Sequence, residues 1–257
     1  MSLSKKSSVD EIRARFDADV ERFSDLATGQ QATIDAPLAL ELLTEAAARA
    51  TPRARRVLDI GCGAGNYTLR LLQRTGSLDV TLVDLSRPML QRARQRLQEA
   101  GHAQVELWQG DIREFPFGSH KFDIVMAGAA LHHLRDEHEW RAVFAGVFES
   151  LGPGGSFWIS DLVAHESPAV QEAMWARYGD YLTSLGGPEY RDRVLAYVVQ
   201  EDSPRPLVWQ LELLRAIGFT SIDVLHKHGL FATFGGVKSS CSERPQVDML
   251  MRIGHAP

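Results

Sequence analysis

The ten residues Val57-Leu-Asp-Ile-Gly-Cys-Gly-Ala-Gly-Asn66 run from a short apolar segment into three alternating glycines. The apolar part reads as a buried strand, and Tyr67, Leu69, Leu71 and Leu72 continue as a helix. Glycines at 61, 63 and 65 between a strand and a helix allow a tight turn and let backbone amides come close to a ligand, with the helix amino end adding positive potential. The spacing is G-x-G-x-G, not the G-x-G-x-x-G of a dinucleotide fingerprint. Asp59, just ahead of the first glycine, suits a cation or an ammonium group better than a pyrophosphate. Asp84 ends the next strand about twenty residues on, where an acid can accept both hydroxyls of a ribose.

Outward from this segment the chain alternates strand and helix. Strands are expected at 56–61, 80–84, 105–109, 122–126 and 156–161, and helices from Pro88 to Ala100 and from Glu137 to Leu151, the latter stopped by Gly152-Pro-Gly-Gly155. Such alternation implies a parallel sheet covered on both faces. Ahead of it, residues 1–8 read as a disordered end, 9–26 as one amphipathic helix, and Thr28-Gly-Gln-Gln as a turn. Asp35-Ala-Pro reads as a helix start, with Leu38, Leu42, Leu43 and Ala46 on one face. Behind it, 163–206 read as mostly helical, 207–217 as a helix, and 221–225 and 229–235 as strands; the last stretch to Pro257 has no periodicity. The expected organisation is an N-terminal helical cap (1–50), a binding core (51–162), a helical lid insertion (163–206), a C-terminal helix with antiparallel strands (207–240) and an irregular tail (241–257).

Composition bounds the function. The 257 residues are 44% hydrophobic and 24% charged, ordinary values for a globular chain able to bury its own core. A net charge of −5 offers no broad attraction to phosphate backbones or anionic membranes. No apolar run reaches membrane-span length and no secretory signal opens the chain, so the expected location is cytoplasmic. Two cysteines, Cys62 and Cys241, exclude a disulfide scaffold and a four-cysteine zinc site. Cys62 is expected as a small buried residue of the turn. His226 and His228 share one face of a strand but show no third ligand, so no metal is expected.

The motifs together resemble class I S-adenosylmethionine-dependent methyltransferases. The segment 57–66 resembles their first motif, and Asp84-Leu-Ser-Arg-Pro-Met-Leu90 their acidic second-strand motif. Gly110-Asp111-Ile112 resembles the adenine-contacting motif. Asp123-Ile-Val-Met-Ala-Gly-Ala-Ala-Leu-His-His-Leu134 resembles the fourth-strand motif, and Leu151-Gly-Pro-Gly-Gly155 the turn before the fifth strand. The resemblance covers about 55–165 and implies an α/β, Rossmann-like, seven-stranded, mostly parallel sheet that uses S-adenosyl-L-methionine. It implies that Gly61, Cys62, Gly63 and Gly65 pass under the methionine and ribose, with Asp59 near the amino group, directly or through water. Asp84 would hold the ribose hydroxyls, and Leu85 and Met89 would pack on the adenine. Gly110 and Asp111 would meet its amino group, Ile112 would cover the ring, and Ala127 to His132 would line the reacting side.

Methyl transfer from a sulfonium is an in-line displacement, and an acceptor with a proton to lose can need a base. His132, His133 and Asp161 are the candidates, each at or after the carboxyl end of a strand; ordering the loop is the alternative role for each. In the lid, Met174, Trp175, Tyr178, Tyr181, Tyr190 and Tyr197 interleave with Arg177, Arg191 and Arg193, either sealing a cavity or simply packing. A narrower resemblance across 157–238 (Ser160-Asp-Leu-Val, Trp175, Tyr178, Ala216-Ile-Gly-Phe219, His226-Lys-His and Phe231 to Lys238) leads to bacterial methyltransferases near the carboxy-S-adenosylmethionine synthases of tRNA wobble-uridine modification. The expected partner is a small-molecule methyl acceptor, with no membrane partner. Nucleic acid is not expected, because the charge is negative and no base-flipping motif follows strand four. A homodimer, the carboxy-transfer activity and a non-catalytic nucleoside sensor stay open.

Overall fold

The apolar run at 57–60 becomes a buried strand because Val57 on one side and Leu58 and Ile60 on the other are all shielded from water. Strands of a parallel sheet with helices on both faces need this two-sided hydrophobicity. A computed structural model describes residues 6–25, 29–102 and 104–240. The strands are β1 (Arg56–Ile60), β2 (Asp79–Asp84), β3 (Val105–Gln109), β4 (Phe122–Gly128), β5 (Leu151–Leu162), β6 (Phe219–His228) and β7 (Phe231–Lys238). They form one seven-stranded sheet in the order β3-β2-β1-β4-β5-β7-β6. All pairs through β5 are parallel, with Val57 facing both Val80 and Ile124, whereas β7 runs antiparallel to β5 and to β6. The expected fold class is the observed one. The strand order reverses direction between β1 and β4, and ligands bind outside the carboxyl ends of strands at such a point.

Eight helices are described: α1 (Val9–Ala18), α2 (Val20–Ser24), α3 (Ala36–Ala50), α4 (Asn66–Thr75), α5 (Arg87–Glu99), α6 (Glu137–Ser150), α7 (Pro168–Glu201) and α8 (Leu207–Ile217). Alternate residues of each strand feed two cores. Val57, Ile124, Met126 and Trp158 pack with Leu43, Leu71 and Leu90 of α3, α4 and α5. Leu58, Val125, Phe157 and Ile159 pack with Trp140, Phe144 and Leu214 of α6 and α8. A third cluster joins Tyr178, Leu182 and Val198 of α7 to Leu162, Leu230 and Phe231 at one end of the sheet.

Several expectations change in detail. The single helix over 9–26 is two, broken at Asp19, whose backbone leaves the helical region. Residues 6–8 are ordered by contacts: Ser8 caps α1 in a reciprocal capping box with Glu11, and Lys6 Nζ donates to the carbonyls of Val199 (2.6 Å) and Asp202 (2.5 Å). The buried face of α3 is Ala39, Leu40, Leu43, Thr44 and Ala47. Leu38 is 46% exposed, because the helix turns its Leu40 and Leu43 side toward α4 and β5. Gly152 to Gly155 do not form a separate turn but open β5, with a register shift opposite Phe122 and Ile124. The strands β6 and β7 are longer than periodicity indicated. The helix α7 breaks at Gly186 and Gly187, just ahead of Pro188. Thr28 and the tail 241–257 lie outside the described residues.

A Cβ on Gly235 would stand 2.2 Å from the Phe157 carbonyl oxygen and 2.6 Å from the Trp158 ring. Gly235→Ala is therefore expected to strain the β5–β7 pairing and to cost about 1–3 kcal/mol, read as a lower urea midpoint at unchanged slope.

Candidate active site

The carboxyl ends of β1, β2, β4 and β5 open into a cavity of about 790 Å³, roofed by α1, α2, residues 29–33 and α7. Gly61 and Gly63 shape its floor, with Gly65 behind them. Gly61, Gly63 and Gly65 have φ of +63°, +50° and +82°, the left-handed region that disfavours side chains. A Cβ on Gly61 would lie 2.4 Å from the Ala130 side chain, so the β1 and β4 loops touch there. A Cβ on Gly63 meets nothing within 4 Å, so its backbone faces open space. The Gly63 amide donates to Asp84 Oδ2 (2.8 Å) and the Ser86 amide to Asp84 Oδ1 (2.8 Å), so the carboxylate is fixed with lone pairs to spare. Burial raises the Asp84 pKa to about 6, against the pull of those amides.

Most of the residues expected at the site meet on this wall. Gly61, Cys62, Gly63, Asp84, Leu85, Met89, Gly110, Asp111, Ile112, His132, His133 and Asp161 all line the cavity. Asp59, Gly65 and Ala127 are not on its wall. Asp59 is buried beneath the loop, accepts from Thr68 Oγ1 at 2.5 Å and has its pKa raised by burial to about 7. Gly65 backs onto Ala93 of α5, and Ala127 is sealed inside β4. Cys62 is buried and its thiol is pushed up by burial, which suits a packed residue and not a nucleophile. Asp111 caps a 3-10 turn (Ile112–Glu114) and is held by the Arg113 guanidinium, which also donates to Glu139 (2.6 Å). Burial pushes the Asp111 carboxyl up, but Arg113 outweighs it and keeps the group below its usual range.

At the other end of the cavity Asp161 closes β5. Its Oδ2 accepts from the amides of Leu131 (2.8 Å) and His132 (3.2 Å), and its Oδ1 from the Leu162 amide (2.8 Å) and from Nδ1 of His132. Burial alone would lower the His132 pKa; the carboxylates of Asp161 and Asp202 reverse this and raise it to about 9. The two carboxylates thus stabilise the protonated ring, and His132 must first lose its Nε2 proton before that nitrogen can offer a lone pair. His133 beside it is kept neutral by burial and by the charge of His132.

Sequence reasoning missed Asp202. It follows α7, yet its side chain returns to the two histidines, and Ser203 donates its amide to the His132 carbonyl at 2.7 Å. The neighbouring Glu201 is fully buried, 2.9 Å from Arg15 of α1. An acidic pair after a helix looks like a solvated end, and nothing local marks it otherwise. Arg193 lies over the Tyr190 ring and lines the cavity, whereas Arg191 pairs with Asp192 outside.

With this geometry in hand, the comparisons with known proteins are direct. Residues 57–155 match the model of a methyltransferase domain. Over that stretch the chain is similar to methyltransferase domains. Demethylmenaquinone methyltransferase of Lactococcus lactis is 28% identical over 177 residues, 67% of this chain and 68% of that protein. Carboxy-S-adenosyl-L-methionine synthase of Nautilia profundicola is 23% identical over 188 residues, 70% of this chain and 75% of that one. An O-methyltransferase family protein from Burkholderia thailandensis superposes with a TM-score of 0.62 at 22% identity, over 88% of this chain and 62% of that one. The [4+2]-cyclase SpnF superposes at 0.61, with 16% identity over 91% and 98% of the two chains. The fold alone therefore does not dictate the reaction. Among the described residues no helix is long and apolar enough to cross a membrane.

The floor of the cavity has the features that a nucleoside with a ribose diol needs. The open face at Gly63 admits close approach to main chain, and the fixed Asp84 carboxylate has lone pairs left for a diol. Gly61→Ala and Gly63→Ala should separate fold from site. The first meets Ala130 and should lower stability by about 1–3 kcal/mol; the second meets only solvent, and should cost about 1–2 kcal/mol while projecting a methyl into the cavity and weakening nucleoside binding. Urea denaturation and calorimetry with S-adenosylhomocysteine read the two effects.

Proposed function

We propose that the chain is an S-adenosyl-L-methionine-dependent methyltransferase acting on a small organic molecule. The single observation that carries this reading is the cavity itself. The glycine loop and Asp84 form part of its wall, and aromatic and aliphatic side chains form another part: Phe16, Phe23, Tyr178, Tyr190 and Tyr197, with Val194 and Val198. The volume of about 790 Å³ suits a nucleoside together with a small acceptor.

In this reading Asp84 accepts from the ribose hydroxyls and Leu85, Met89 and Ile112 flank the adenine. Asp111, kept ionised by Arg113, accepts from the adenine amino group through a remaining lone pair. The sulfonium supplies the methyl group. The protein holds the reacting atoms in line and excludes water, and the lid is suited to that second task. Tyr178 and Tyr181 donate to the carbonyls of Ala32 and Gln31, both at 3.0 Å, so α7 and the 29–33 segment are tied together over the cavity. The apolar walls favour an acceptor with an apolar or aromatic body, as the quinone-methylating relatives suggest by name.

Calorimetry with S-adenosylmethionine and S-adenosylhomocysteine tests the cofactor assignment; a folded chain that binds neither would refute it. Mass spectrometry of the nucleoside that copurifies separates methyl from carboxymethyl transfer, and release of isotopic methyl in a cell extract separates enzyme from sensor. Asp84→Asn should weaken S-adenosylhomocysteine binding by about 10–100-fold, the worth of hydrogen bonds to a charged acceptor.

The pH dependence follows from the same carboxylate. Asp84 carries a raised pKa of about 6, with Asp17 the neighbouring acid that adds to the rise. The nucleoside diol selects the ionised form. Affinity should therefore fall as the pH drops through 6, and this step should be absent in Asp84→Asn.

A further inference from the structure

Three side chains on the cavity wall converge on a point that the cofactor assignment does not use. His132 presents Nε2, His133 presents Nδ1 and Asp202 presents a carboxylate oxygen, all within 4.8 Å of one another. Asp202 Oδ1 lies 3.6 Å from His132 Nε2 and 3.5 Å from His133 Nδ1, too far for good hydrogen bonds. Asp202 Oδ1 and His133 Nδ1 are buried with no hydrogen-bond partner, and the Asp202 side chain is only 3% exposed. Leaving such an atom unsatisfied costs about 1–3 kcal/mol, so a pair of them aimed at one point calls for a physical cause.

The surroundings narrow that cause. The nearby cations are committed elsewhere: Lys6 donates to the carbonyls of Val199 and Asp202, and Arg135 to those of Ser7 and Glu201. Neither reaches the Asp202 carboxylate with a hydrogen bond. The other nitrogen of His132, Nδ1, is held by Asp161, which aims Nε2 at Asp202. A carboxylate behind a histidine in this way is the usual support of a metal-ligating ring. Donor separations of 3.5 and 3.6 Å are close to the edge of a tetrahedron with bonds near 2.0–2.1 Å, about 3.4 Å.

We propose that His132, His133 and Asp202 bind a divalent cation of the zinc type, which displaces the Nε2 proton of His132 to solvent, with the fourth position open to the cavity and taken by an oxygen donor of the methyl acceptor. Two imidazoles and one carboxylate with an open position make a recognised donor set for such an ion. The cation identification stands on the three side chains alone; the acceptor part rests on the methyltransferase reading above. It narrows the acceptor to one with a hydroxyl, enol or phenol. The O–H bond breaks as the oxygen binds the cation, and its proton leaves to bulk solvent; on transfer the O–C bond forms, and the C–S bond breaks with its electron pair staying on sulfur, which loses its positive charge. Asp202 follows the lid helix, so the site would also fasten the lid to the loop after β4.

A second cluster serves as the control. Asp35 Oδ2 accepts from His226 Nε2 (2.9 Å) and His228 Nδ1 (2.8 Å), so its atoms already satisfy one another. The test uses the full chain freed of metal by chelation and titrated with Co2+. One Co2+ per chain is expected, with the visible absorption of a site of low coordination number. Asp202→Asn and His133→Gln should each weaken binding by more than about tenfold, and Asp161→Asn by about 10–100-fold, while Asp35→Asn leaves it unchanged.

A folded parent chain that binds no Co2+ overturns the proposal even if no variant folds. Affinity indifferent to positions 133 and 202, or lost in Asp35→Asn, overturns it as well. S-adenosylhomocysteine is titrated into the same metal-free chain. Nucleoside binding without Co2+ binding removes only the metal site; Co2+ binding without nucleoside binding removes the cofactor assignment and leaves the metal site standing.

Discussion

Two loops at the carboxyl ends of β1 and β4 approach until no side chain fits between Gly61 and Ala130. That contact is the constraint on which the site depends. It follows from the strand order, because β1 and β4 are neighbours while their connections leave toward opposite faces of the sheet. The crevice so formed exposes main chain in place of side chains. The Gly63 amide then finds Asp84 on β2, and one hydrogen bond both satisfies the turn and orients the carboxylate.

Burial of charge explains the opposite end of the cavity. Asp161 is fully buried and accepts three backbone amides and a histidine ring, which together offset its desolvation. This joins β5 to the loop after β4 and determines where His132 and His133 stand. Around them α1 and the end of α7 clasp each other through Arg15 with Glu201 and Lys6 with two carbonyls. The lid is thus held by polar contacts at its end and by the aromatic cluster of Tyr178 and Phe231 at its middle.

Much of the core architecture was legible along the chain. Two-sided hydrophobic runs, helices with one apolar face and glycines at 61, 63 and 65 are local features, and their order implied a parallel sheet with a crevice at the glycine loop. Less was legible at the edges. The Gly152 to Gly155 segment looks like a turn because glycine and proline favour one, yet Leu151 and Ser156 pair with β4 on either side of it, which keeps it within β5 as an irregularity. The face of α3 was misassigned because large apolar residues lie on both its sides, and only packing selects the side of Leu40 and Leu43. Asp59 reads as a ligand of the crevice until Thr68 is found to hold it beneath the loop.

By itself, the order of residues determined the fold class and the position of the glycine turn, because hydrophobic period and backbone freedom act over a few neighbouring residues. The tertiary structure alone decided which charges meet. Asp202 and the histidine pair are far apart along the chain and owe their encounter to the return of α7 over the cavity. Protonation of His132 likewise depends on two carboxylates brought from β5 and from the end of the lid. Electrostatic energies follow separation in space and the water excluded between groups, and neither quantity exists until the chain has folded.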